Sequence, residues 1–307
     1  MLRYLLVRVG QAVLVVAGVV VVVFLMLHLT PGDPVQILFG DAPVPKEQVE
    51  ALRHQLGLDL PIGVQFGRFF LRTLRGDLGR SLVSFRPVAS DLVRVVPHTA
   101  QLAVASMLLA VVGGTLFGIV SALYRNTWID NGVTVIALLG ISFPSFWTGL
   151  LFVWLFAVQL EWFPITGYGS VKHLVLPAVT LGWYAGAVLT RLVRSGMLEV
   201  LRQDYVTTAR AKGVPQHRVI VLHALRNALI PIVTVLTIQF GTLLGGAVVV
   251  ETVFARDGIG RMLVNGILQK DFPVAQGAVL VVAVAYSLTN LAADLSYAVL
   301  DPRVEYG

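Results

Sequence analysis

The chain has 307 residues, of which 56% are hydrophobic and only 13% charged, with a mean hydropathy of +0.81 and a formal net charge of +6. A soluble domain carries about a quarter charged residues, so this composition excludes an ordinary soluble protein and points to an all-α integral membrane protein. There is no cysteine, which excludes disulfides and thiol or cysteine–metal chemistry. The positive balance needs no nucleic acid, because lysine and arginine collect on the cytoplasmic side of membrane proteins.

A hydrocarbon layer about 30 Å thick needs roughly 20 apolar residues in a helix. Charge-free windows predict six transmembrane helices, near residues 9–29, 99–123, 133–158, 174–193, 228–250 and 275–299. Arg3 and Arg8 ahead of the first window resemble a signal peptide. That window is too long for a signal core, however, and "TPGDP" follows where small cleavage-site residues belong. It is predicted to be an uncleaved first span.

Between the first two spans lies a long loop, 30–97, with helices predicted near 46–56 and 63–75. In the second of these, Arg68, Arg72 and Arg75 share a face, with Phe66, Phe69, Phe70 and Leu74 as apolar bulk. Two placements fit that pattern equally: a helix lying at the lipid interface, or one packed on the loop's own core.

In the third span, Pro144 of "ISFPSF" is expected to bend the helix or free a backbone carbonyl. Ser142 and Ser145 beside it are candidates to face a translocation pathway. "TGYG" at Thr166–Gly169 suggests a potassium filter, but the filter's valine is missing and Pro164 precedes a turn, so a channel is disfavoured.

The fourth and fifth spans are separated by a basic loop, 194–227. Asp204 is expected to cap a helix of about eight residues, with Arg210 and Lys212 in its last turn, where cations suit the helix dipole. Gly213 is expected in the left-handed C′ position, and Pro215 prevents continuation. Ala209, Ala211 and Gly213 present little side chain, which suits close approach by a partner. An ordinary loop helix packed on its own bundle fits equally well.

On the fifth span Thr234, Thr237, Gln239 and Thr242 are further pathway candidates, and Pro231 a possible bend. Gly114-x-x-x-Gly118 and Gly241-x-x-x-Gly245 permit close helix approach. On the sixth span Asp294 is the one ionisable residue well inside a predicted helix. Such groups are costly in lipid and tend to mark ion pathways, so a gradient-driven transporter using Asp294 is the alternative function.

Orientation follows from the basic residues of the short segments. With the N-terminus inside, the cytoplasmic side holds Arg3, Arg8, Arg125, Arg303 and seven lysines and arginines between 191 and 226. The short outer segments hold only Lys172, Arg256, Arg261 and Lys270. Both termini are predicted to be cytoplasmic. The chain has no P-loop and no familiar membrane-hydrolase motif, so the work of transport must come from a partner or a gradient.

The stretch "DYVTTARAKGVPQHRVIVLHALRNALIP" resembles the cytoplasmic loop of permease subunits of binding-protein-dependent ABC importers, in the version of the dipeptide, oligopeptide and nickel group. That loop is generally Glu-Ala-Ala, three residues, then Gly. Here Ala209 and Gly213 match, Thr207 and Thr208 replace Glu and the first Ala, and His223 and Arg226 stand where Ile and Pro usually follow. "PGDPV", "GLDLPIGVQF", "RGDLGRS", "FPSFWTGLLFVWLFAV", "WFPITGYG", "ETVFARDGIGRMLVNGILQKDFPVAQG" and "NLAADLSYAVLDPR" extend the resemblance over nearly the whole chain.

The resemblance implies the type I ABC importer permease fold, as a single domain over 1–307 with 30–97 as an extracytoplasmic insertion. It implies that the chain is not an enzyme and holds no cofactor, ATP and magnesium being bound by partners. Those partners would be a second permease, two cytoplasmic ATP-binding subunits and an extracytoplasmic solute-binding protein. The cargo would be a peptide or a related small solute such as glutathione or a nickel complex, carried across the bacterial inner membrane. The loop helix would be the coupling helix, with Ala209, Ala211 and Gly213 as its docking face and Asp204, Tyr205, Arg210 and Lys212 around it. The outer segments 30–97 and 251–274 would meet the binding protein.

Overall fold

A computed structural model describes residues 2–29 and 45–300, with side chains left aside at 2, 4, 52, 55, 56, 230, 231, 233, 234, 293 and 295–300. "PGDPV" and Arg303 therefore lie outside the described residues. So do the side chains of Thr234 and Pro231. Helices joined by turns and short irregular segments make up the described residues, with one isolated bridge between Arg80 and Pro87.

Five helices are long and apolar enough to cross a membrane. They are α1 (Leu2–Leu29), α4 (Val88–Leu123), α7 (Val171–Val200), α10 (Arg226–Val253) and α12 (Phe272–Leu300). The predicted third span is broken into α5 (Trp128–Ser142) and α6 (Ser145–Phe152), with π-helical turns from Val153 to Gln159. The two halves are bent by 116°. The cause is local. Pro144 has no N–H to continue the helix, and a residue before proline is pushed to extended backbone, where Phe143 sits at φ −87°, ψ 134°. Counted as one span, the pair makes up the six.

The shorter helices are α2 (Lys46–Leu56) and α3 (Ile62–Leu74) in the first loop, then α8 (Asp204–Ala211). Next come α9 (Gln216–Arg218), which runs on as π-helical turns Val219–Leu225, and α11 (Ile259–Leu268). The second span begins at Val88, well before the predicted residue 99, and carries Pro97 inside it.

The chain divides into two compact units, one of Met1–Pro97 with Gly258–Leu291, the other of His98–Asp257 with the segment from Ala292. In the first, Phe66, Phe69 and Phe70 of α3 pack against Val19, Val20 and Val23 of α1 and Leu280 of α12. The aromatic face of α3 thus rests on spanning helices, a contact that neither placement read from the sequence had specified. Gln276 donates its amide to the Val23 carbonyl at 2.9 Å. The loop after α3 is tied down by Asp271, which accepts the Ser81 hydroxyl at 2.5 Å and the Leu82 N–H at 3.1 Å.

In the second unit α7 is the central helix. Leu176, Leu181 and Ala185 join Leu102, Leu243 and Val250 in one cluster, while Leu189, Val193 and Met197 join Ala224, Ala228 and Ile232 in another. Gly114 and Gly118 let α4 lie directly on it. A Cβ at Gly118 would stand 2.6 Å from Val193 Cβ, and one at Gly114 would stand 2.8 Å from the Gly186 carbonyl. The second glycine pair differs, since a Cβ at Gly245 meets nothing within 4 Å.

Candidate coupling site and membrane pathway

Helix α8 follows α7 after a turn at 201–203. Gln203, in extended backbone and with no side-chain cap bond, occupies the N-cap. Asp204, expected there, is instead the first helical residue, where its carboxylate still complements the positive end of the helix dipole. The stop is the one expected. Gly213 has φ +76°, its N–H bonds the Arg210 carbonyl at 2.9 Å, and the Val214 N–H bonds the Ala209 carbonyl at 3.2 Å. That pair of bonds is a Schellman motif, which uses up carbonyls that the helix end would otherwise leave bare.

Two turns are marginal alone in water, and the anchor is visible. Val206, Ala209 and Val219 are buried together, with Val200, Leu201 and Val214 around them. Residues three apart share a helix face, so Ala209 turns inward with Val206. This corrects its expected place on the outer face: packing on Val219 claims it. Asp204, Tyr205, Thr207, Thr208, Arg210, Ala211, Lys212 and Gly213 are exposed. Tyr205 accepts a hydrogen bond from Asn227 Nδ2 at 2.8 Å, which ties α8 to the start of α10. The outcome is a short, rigid knob with a small-residue tip at Ala211 and Gly213 beside two cations.

The described pathway candidates lie on α5, α6 and α10. Ser142 is exposed at the end of α5 and Ser145 is half-buried at the start of α6, either side of the break. Gln239 is buried, Thr237 half-buried and Thr242 exposed. The Thr242 hydroxyl lies within its own helix's reach, 2.8 Å from the Gln239 carbonyl and 3.0 Å from Gln239 Oε1. Asp294 is half-buried near the end of α12. A cavity of about 310 Å³ lies among α4, α5 and α7. Its walls, which include Phe117, Val133, Ala137 and Trp183, are almost wholly apolar and offer little to orient a polar solute. No group of metal-binding residues occurs among the described residues.

Two buried polar networks were not foreseen from the sequence. Asp130, 3% exposed, is held by Arg194, Ser121 and the Asn126 backbone. Glu251, fully buried, accepts the Thr99 hydroxyl at 2.6 Å. Nearby Arg256 donates from Nη2 to Gln101 Oε1 at 2.9 Å. Burial pushes the Arg256 guanidinium down from its usual range, and the Glu251 charge opposes that shift. Asp130 and Arg194, Glu251 and Thr99, and Arg256 and Gln101 lie 64, 152 and 155 positions apart in the chain. The only sequence signal was a charged residue at each end of an apolar run.

Two family models cover the chain. Residues 114–306 match the binding-protein-dependent transport system inner membrane component, and residues 1–103 match the N-terminal region of the same membrane components. A glutathione transport system permease protein, GsiC, of Salmonella paratyphi A is 44% identical over 307 residues, all of both chains. The protein of the same name in Escherichia coli K12 is 42% identical over 309 residues, again at full coverage. Among solved structures, a chain of the inward-facing MetNI methionine ABC transporter matches with a TM-score of 0.56 and 22% identity, over 68% of this chain and 96% of that one. An amino acid ABC transporter structure with histidines matches at a TM-score of 0.52 and 14% identity, over 70% and 94%. At these identities the two structures speak for the fold alone.

Proposed function

The chain belongs to the binding-protein-dependent transport system inner membrane components, the permeases of ABC importers, and from that premise we propose that it forms half of a channel for peptides or a related small solute, driven through α8. It is a transport subunit and not an enzyme, because ATP hydrolysis is the work of partner ATPases. A second permease would complete the channel, two ATPases would bind the paired coupling helices with their own ATP and magnesium, and a solute-binding protein would deliver cargo. We assign both termini and the loop 194–227 to the cytoplasm, and 30–97 and 251–274 to the outside, where the binding protein docks. Ser145, at the break in the third span, and Thr237, on α10, are the pathway candidates we favour. Ser142 and Gln239 follow. Thr242 comes last, because its hydroxyl has partners in its own helix. Thr234 stays a candidate on sequence grounds alone.

One observation carries the coupling role: α8 is anchored by Val206 and Ala209 and stopped at Gly213, leaving an open tip of Ala211, Lys212 and Gly213. A glycine stop of this kind ends many helices; what favours docking is that the stop leaves small residues and two cations exposed together, on a chain whose family works through partners. On solute, the glutathione named for the relatives is a tripeptide, which places it inside the peptide class. A gradient-driven mechanism at Asp294 loses its motive once partner ATPases supply the work.

The test is a mild-detergent pull-down of the tagged chain from its host, with ATP hydrolysis assayed on the eluate. The expected result is a second permease and ATPases in the eluate, lost on Gly213→Leu while the variant stays folded in the membrane. A lone, inactive oligomer in a detergent that preserves known complexes would overturn the coupling reading.

A further inference from the structure

Helices α5 and α7 are pinned together toward both ends of α5. From the middle of α5 onward, Trp183 of α7 donates its indole N–H to the Ile136 carbonyl at 3.3 Å. A Cβ at Gly140 would come within 2.6 Å of that ring, so the two helices have no slack there. At the near end Arg194 grips Asp130 with a parallel pair of bonds, Nε to Oδ1 and Nη2 to Oδ2, each 2.8 Å. Ser121 of α4 donates its hydroxyl to Oδ1 at 2.5 Å, and the Asn126 N–H reaches Oδ2 at 3.0 Å. Asn126 holds φ +62°, a left-handed conformation that asparagine tolerates better than most residues. All the oxygens of a nearly inaccessible carboxylate are thus used, in the bidentate geometry that makes arginine–carboxylate pairs directional.

The position of this clamp along the chain matters as much as its geometry. Arg194 lies on the last turns of α7, which lead straight into α8. Asp130 lies on the first turn of α5, whose other end is the Phe143–Pro144 break. We propose that Asp130 and Arg194 are positioning residues for energy coupling: they lock α5 to α7 as one lever, so that displacement of α8 is expressed as a change of angle at the Phe143–Pro144 break. Neither residue touches solute or nucleotide in this scheme. The inference rests on α8 being the coupling helix. A pair serving only as a brace would affect how much complex assembles, not how an assembled complex moves.

The absence of cysteine from this chain lets labels be placed on it alone, before assembly with unlabelled partners. Nitroxides at Trp128 on α5 and Trp162 beyond α6, both well exposed, report the angle at the break. They would be read in the complete complex with its ATPases, before and after addition of a non-hydrolysable ATP analogue. The wild-type separation is expected to shift on analogue binding, and Asp130→Asn is expected to lose the shift while the complex still binds analogue and hydrolyses ATP. If Asp130→Asn does not assemble, Ser121→Ala, which removes one of the carboxylate's donors, is expected to diminish the shift. An unchanged shift in the variant that assembles would overturn the proposal, as would a wild-type complex that hydrolyses ATP with no movement at the break. A wild-type chain that recruits no ATPase at all would instead overturn the coupling reading beneath it.

Discussion

Helices α1 and α7 are both long enough to span a bilayer, yet they relate to the rest of the chain in opposite ways. In α1 only 17% of the most apolar stretch is buried, and Leu6, Val13, Leu14 and Val22 lie open. In α7, the less apolar of the two, 56% of the corresponding stretch is buried. The more hydrophobic helix is therefore the one this chain leaves open, and the moderately apolar helix is the one at the centre of its unit. The reason is that lipid tails are as apolar as leucine, so burial in protein gains nothing from the hydrophobic effect. Helix association in a membrane depends on close packing and on satisfied polar groups. Helix α7 has both. Small residues such as Gly182, Ala185 and Ala187 line its packed face, Thr180 and Thr190 bond back to the carbonyls of Leu176 and Gly186, and Arg194 is neutralised by Asp130.

That contrast can be broken by experiment, and the largest effect should come from the charge pair. Arg194→Ala leaves the Asp130 carboxylate buried without its counter-charge, and unfolding in an SDS titration should show a loss of about 3–5 kcal/mol. Equal stability to wild type would mean that Asp130 is hydrated in the membrane. Next in size is Met197→Ala, at a fully buried site on α7, which should cost about 2–5 kcal/mol in the same titration. Gly118→Ala should cost about 1–3 kcal/mol by overpacking against Val193 and the Thr190 carbonyl. Its counterpart Gly245→Ala, with open space around it, should change stability by under about 0.5 kcal/mol. The smallest effect is expected from Leu14→Ala on α1, again under about 0.5 kcal/mol. A loss as large as that of Met197→Ala would show that a partner helix covers this face in the native membrane.

Much of the loop carrying α8 was legible beforehand. Its length, its stop at Gly213 and the termination before Pro215 follow from local rules that act within one turn, and local rules survive folding. Asp204 missed the N-cap by one residue, because Ser, Thr, Asp and Asn favour that position by tendencies that neighbouring geometry overrides. Ala209 was misplaced for a different reason. An alanine suits an open docking face and a tight internal contact equally, and only the position of Val219 decides between them. Pro144 was correctly suspected of disturbing its helix, but a proline does not announce a bend as sharp as 116°.

Taken by itself, the sequence determined that this is a helical membrane protein, where its spans lie, where its loop helix begins and ends, and which family it resembles. Each of these depends on composition, on periodicity or on residues adjacent in the chain. Tertiary structure alone decided which helix is central, which face of α8 remains open, and that Asp130 meets Arg194 and Glu251 meets Thr99. Those outcomes join residues tens to more than a hundred positions apart. In lipid, where apolar surface has no preference between a tail and another helix, it is shape and hydrogen bonding across such distances that set the arrangement.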